Sequence, residues 1–160
     1  MFQQKKIKIG GIMRSTNLAM ISVMSAPDRP GVAGALLDCL GRNNINVQFI
    51  VQCIDLNNCD DVVLCVSEDE LKEALTLLEG VKEEIGAKGL VHTPNVGIVS
   101  IFGPDFRHRP AIAGTMFLAL ASVGINILAI STSISTVSCV IEANRLADAV
   151  NALEKTFELP

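Results

Sequence analysis

The sequence contains no tryptophan and no tyrosine, and only six phenylalanines among 160 residues. A platform for stacking nucleobases is therefore poorly supplied. Positive charge is short as well. Thirteen Lys and Arg against 17 Asp and Glu leave a net charge of -4, and a phosphate backbone asks for clustered cations. Neither nucleic acid nor membrane is expected as a partner. The two histidines, His92 and His108, stand in no local motif with a nucleophile, so the inventory for catalysis is thin. The five cysteines (Cys39, Cys53, Cys59, Cys65 and Cys139) are odd in number and include no CxxC pair. Lying mostly in apolar patterns, they read as reduced, buried packing residues rather than metal ligands. No metal site and no cofactor is expected. The start, MFQQKKIKIGG, is basic but lacks the apolar stretch of a secretory signal, which predicts a cytoplasmic protein.

What the chain has in abundance is apolar residues, at 49%, enough for a good core. It also has an internal repeat. Asp28 to Ile50, DRPGVAGALLDCLGRNNINVQFI, returns eighty positions later as Arg109 to Ile130, RPAIAGTMFLALASVGINILAI. Pro30 matches Pro110, Gly34 matches Gly114, Ile45 matches Ile125 and Asn46 matches Asn126. The run Ala111 to Ile130 is uncharged and long enough to imitate a membrane span. Its first copy carries Asp38 and Arg42, and Gly124 with Asn126 marks a break, so a helix followed by a buried strand is the better reading.

Taken in order, Ile7–Ile12 reads as a strand, MRSTN as a turn and Leu18–Met24 as a strand. Val32–Arg42 reads as a helix entered behind Pro30, with Val32, Leu36, Leu37 and Leu40 on one face. A hairpin follows, with strands over 45–55 and 61–66 and LNNCD as its turn. Ser67 with Glu70 suits a capping box for a helix over 68–78, and Gly89–His92 closes the unit. The second copy repeats the plan with strands at 96–102, 126–133 and 137–142 and a last helix over 145–157, but it has no fourth strand. The spare N-terminal strand would cover that open edge. The fold class expected is α+β, two ferredoxin-like βαββαβ units with antiparallel sheets and helices on one face. Their limits are 14–93 for the first unit and 94–160 plus 7–12 for a discontinuous second.

Chemistry is expected at the shared stretch. A helix start offers free N–H groups to a carboxylate, and Gly31, Val32 and Ala33 are small or compact enough to let a ligand approach. Asp28 could balance a ligand ammonium, or be a solvated turn residue. Asn46 and Asn126 begin their strands where an amide can donate and accept, or simply close a turn. Gln52 shares a strand face with Asn46, Gln48 and Ile50, and such a polar row is usually solvated. The hydroxyl-rich Ser131–Ser138 could line a polar ligand or merely suit a hairpin, and Arg107, His108 and Arg109 read as ordinary surface charge.

These motifs resemble the tandem ACT domains of aspartate kinase regulatory regions. The resemblance covers the chain from about Ile9 onward. It rests on DRPGVA, NNINVQFIVQ, GPDFRHRPAIAG, GINILAISTS, SCVIE and AVNALEKTFEL. It implies non-catalytic feedback control of aspartate kinase, with ACT units of two chains pairing side by side and lysine or threonine bound between them. The ligand contacts it implies are Asp28, Gly31, Val32, Ala33, Asn46, Val47, Gln48 and Gln52 of the first unit, with Asn126, Ile127 and Ser133 of the second. A homodimer, and a kinase catalytic segment as a further partner, are implied too.

The chain departs from the family's usual acids at Gln48, Leu128 and Ile134, which weakens a lysine site and favours threonine. Leu118 also replaces a common acid, leaving a helix apolar nearly all round, so an additional contact with the other unit or another chain is expected there. The first copy is expected to sense and the second mainly to pack. Three alternatives stand beside this reading: a stand-alone amino-acid sensor, a ligand-free dimerisation module, and a small acylphosphatase-like hydrolase.

Overall fold

In a computed structural model, residues 5–104 and 106–160 are described. The chain forms two compact units. One is Asn17–Val96; the other joins the described residues up to Thr16 to Gly97–Pro160.

The strands are β1 (Gly11–Pro27), β2 (Phe49–Ile54), β3 (Cys59–Ser67), β4 (Gly89–Phe102), β5 (Ala129–Thr132) and β6 (Thr136–Glu142). The α-helices are α1 (Val32–Arg42), α2 (Leu71–Ile85), α3 (Ile112–Ser122) and α4 (Leu146–Thr156). The unit at 17–96 runs βαββαβ, with its strands in the order β2-β3-β1-β4. β1 with β3 and β2 with β3 are antiparallel. Alternation sends Ile21 and Val23 of β1 and Val62, Leu64 and Val66 of β3 into one core. Val32, Leu36 and Leu40 of α1 meet them there, spaced four apart as one helical face requires, along with Ala74, Leu78 and Val81 of α2. Leu37, expected on that face, is 37% exposed. It lies one position past Leu36, and a helix turns by about 100° per residue.

In the other unit the strand order is β1-β4-β6-β5, and β5 pairs antiparallel with β6. Val99, Ile101, Cys139 and Ile141 pack against Ile112, Met116 and Leu120 of α3 and Leu146 and Leu153 of α4. Ile9 joins this core, with its N–H donating to the Glu158 carbonyl (3.0 Å), while Gly10 donates to Phe102 (2.7 Å). A Cβ at Gly97 would clash with Leu146 Cδ1, so glycine is what lets that leucine close on β4. The repeat is structural as well as sequential. Ile45 donates to Leu40 and Ile125 to Leu120, each just after a residue with positive φ, Asn44 or Gly124.

Four local expectations need correction. No MRSTN turn divides the N-terminal strands, since Gly11–Pro27 is one strand. Likewise β4 runs through the expected gap after His92. Polar residues there looked like loop, but Asn17 (φ 58) and Asn95 (φ 54) take up a left-handed kink at a single position without ending the strand. Ser67 makes no side-chain cap. A short 3-10 turn at Glu68–Glu70 opens α2 instead, and Glu68 accepts from the Asn95 N–H at 3.1 Å. Finally, Cys53 is exposed on β2, and only Cys65 and Cys139 are fully buried. Burial raises both of these thiols to about 12, which makes them inert packing groups.

Candidate functional site

The start of α1 differs from the other helix starts in the backbone of its N-cap residue. Its N-cap, Gly31, sits at φ 101, and no side chain caps the first turn. The leading N–H groups of the helix therefore lack a side-chain acceptor and carry the positive end of the helix dipole. A Cβ at Gly31 would meet nothing within 4 Å, so glycine is required by backbone conformation and not by crowding. The equivalent residue in the second copy, Ala111, has φ -82. The two helix entries thus differ in backbone conformation at this residue, although neither has a side-chain cap.

Around this helix start, Asp28 is exposed, and its N–H donates to the Asn58 carbonyl at 3.1 Å. Val32 is buried in the core, and Ala33 is half-buried. Asn46 and Gln48 are exposed on the approach to β2, and Val47 packs on the core between them. The Gln48 N–H donates to Cys65 (2.9 Å), which fixes this approach against β3. Gln52 is exposed on β2, across from Val62. Its side chain and that of Asp28 both flank Asp60, so the structure brings these two expected residues together.

Asp60 was not expected at the site. It is 1% exposed, and neither carboxylate oxygen has a partner in good hydrogen-bond geometry, although the Asp28 and Gln52 side chains stand close enough to act on it. Burial first, and then the charge of Asp28, push its carboxyl above the ordinary 3.8. The signal was present in the sequence. Counting back by twos from Val66, Leu64 and Val62, Asp60 occupies a core-facing position, although as the last residue of LNNCD it reads as part of the hairpin turn.

A stability prediction follows from the sign of that shift. A carboxyl whose folded pKa is raised stabilises the fold below its unfolded value and loses that contribution as pH rises through the folded value. Ligand-free wild type should therefore lose melting temperature relative to Asp60→Asn as pH climbs from about 4 towards neutrality. Parallel melting curves across that range would show that Asp60 is not held in its protonated form.

In the other unit the expected residues do not converge. Asn126 is exposed and lines a cleft of about 160 Å³ with Glu142 and Arg145. Arg145 is already committed, donating to the Val123 carbonyl at 2.7 Å and pairing with Asp148. Ile127 is partly buried against the core. Ser133 is exposed and lines a different cleft, about 190 Å³, beside Arg109 and Pro110. Leu118 is 73% exposed on α3. No helix is long and apolar enough to cross a membrane among the described residues, α3 having 11 residues before the chain turns to β5. No cluster of metal-ligating residues occurs among them either.

Comparison with known proteins adds family relationships to this geometry. The ACT domain family matches twice, over residues 19–83 and 99–157. An aspartate kinase of Stutzerimonas stutzeri is 38% identical over 151 residues, which cover 94% of this chain and 37% of that protein. The chain thus spans little more than a third of the curated relatives it matches. Among solved structures, the ligand-free regulatory subunit of aspartate kinase from Thermus thermophilus is 32% identical with a TM-score of 0.84. The match covers 94% of this chain and 99% of that one. A structure of aspartokinase alpha and beta subunits is 33% identical, also at 0.84, covering 92% of this chain and 97% of that one.

Proposed function

The chain belongs to the aspartate kinase family as a pair of ACT domains from its regulatory region, and on that premise we propose that it senses an amino acid for feedback control. The observation that carries the reading is the uncapped start of α1 behind Gly31, with Asp28 and Gln52 beside it. An α-amino acid presents a carboxylate and an ammonium a few ångströms apart. The free N–H groups of Gly31, Val32 and Ala33 suit the first and Asp28 the second. Asn46, Val47 and Gln48 supply polar edges and backbone for the rest of the ligand.

Threonine is the preferred effector over lysine. Gln48, Leu128 and Ile134 offer no carboxylate for a side-chain ammonium, and a small hydroxyl needs none. Titration calorimetry should show threonine binding, with lysine weaker, and lysine binding far more tightly would overturn the preference. The assembly we favour is a homodimer through ACT units, with Asn126, Ile127 and Ser133 completing sites at the interface. Two features support pairing. β2 and β5 are edge strands of their own units, and Ile54 on β2 and Leu118 on α3 are exposed apolar residues. The first unit is read as an insertion within the second, as the Gly10 to Phe102 bond supports.

A ligand that bridges two chains shifts their arrangement only by its differential affinity for the two states. In this reading a kinase catalytic segment is the partner that feels that shift, and the setting is the cytoplasm.

A further inference from the structure

A carboxylate that is almost wholly buried, with both oxygens unpartnered, is an unusual thing for a protein to keep. Asp60 is such a group. It lies on β3 across from Ala26 of β1 and Ile54 of β2, neither of which can donate from its side chain. Asp61, next along the strand, is occupied in accepting from the Ser25 N–H at 2.9 Å. The neighbours that bear on Asp60 are Asp28, Gln52 and Asp61, two of them acids and none a cation. No ion pair among the described residues includes it. Asp28 and Asp60, one exposed and one buried, therefore form an acidic pair at the edge of β3, close to the residue run that leads into α1 and short of one cation.

We propose that Asp60 is a specificity-determining residue of the effector site, and that it and Asp28 together hold the ligand's α-ammonium. The inference rests on the amino-acid-binding reading above. An ammonium has three N–H donors, enough to reach an oxygen of each carboxylate and leave one for the Gln52 carbonyl. Asp60 thereby makes a free ammonium obligatory, because a neutral ligand would leave the buried carboxyl as unsatisfied as before. It also links binding to protons. Without ligand, the burial of Asp60 and then the charge of nearby Asp28 favour its protonated form. The arriving ammonium favours the carboxylate, so one proton leaves Asp60 for solvent. Affinity should rise with pH until Asp60 is ionised in the empty site, then level off.

The test is calorimetry on the whole chain, with threonine, lysine and N-acetyl-threonine as probes, in buffers of different ionisation enthalpy. Wild type should bind threonine with net proton release on the acid side of neutrality and should not bind the acetylated probe. Asp60→Asn should keep its fold by circular dichroism, lose the proton release and bind threonine roughly ten- to a hundredfold more weakly, as loss of a charge-assisted hydrogen bond implies. Unchanged affinity and pH dependence in Asp60→Asn, with Asp28→Ala impaired, would overturn the role of Asp60 and leave the binding reading standing. Wild type that binds no free amino acid would sink the binding reading and this inference with it.

Discussion

Asp28→Ala is expected to weaken amino-acid binding roughly ten- to a hundredfold while leaving the ligand-free fold intact. The size follows from losing a hydrogen bond to a charged group, worth about 1.5–3 kcal/mol, at a factor of ten for each ~1.4 kcal/mol. The fold should survive because Asp28 is exposed, and the bond it makes to Asn58 is through its backbone N–H, which alanine retains. Its removal also takes away a negative charge that acts on buried Asp60, so melting temperature should stay level or rise slightly. Calorimetry beside a thermal melt reads both outcomes. A variant that binds as wild type does would remove Asp28 from the site.

Phe157→Ala should have the largest effect on stability. The ring is 1% exposed and lies in the core that Met116, Leu120 and Leu153 share. Truncating a buried phenylalanine loses its transfer energy and leaves a cavity, together about 3–5 kcal/mol. For a domain of this size each kcal/mol moves the melting midpoint by about 4–8 °C, so a fall of roughly 12 °C or more is expected for this unit. The nearby Leu159, 37% exposed, provides the control, since alanine there should cost far less. A loss under about 1 kcal/mol at Phe157 would mean that the C-terminal end does not seal that core.

Both predictions lean on elements that could be read from the sequence to different degrees. The helix Val32–Arg42 was legible to the residue because Pro30 marks its entry and leucines recur every fourth position. Most of the other helices and hairpin strands were legible from periodicity switching between 3.6 and 2, while α3, apolar nearly all round, was legible only through its match to the first copy. Strand continuity was not. Asn17 and Asn95 read as loop residues, and only the backbone shows a kink of one residue inside strands of 17 and 14 residues. Leu118 is 73% exposed in the single chain, since α3 turns Ile112, Met116 and Leu120 inward and has too many apolar residues for one face, so the contact expected there is left for another chain to make.

At the site, the helix start at Gly31 was legible through its small residues, but its φ of 101 was not. Asp60 escaped because it follows LNNC, where an acid looks like part of a turn. Its alternation with Val62 and Leu64 placed it inside. In the proposed site that one residue changes the count of carboxylates facing the ligand ammonium, from one to two. It does not supply an acid at Gln48, Leu128 or Ile134, so the preference for threonine stands.

The central claim is that the first unit, at the start of α1, is where an amino acid binds. Amide chemical shifts followed by NMR during a threonine titration test it most directly. The account predicts the largest saturable shifts at Gly31, Val32 and Ala33, with Gln52 and Asp60 following on the same binding curve. Shifts centred instead on Ala111, Ile112 and Ala113, or none at saturating threonine and lysine, would contradict it.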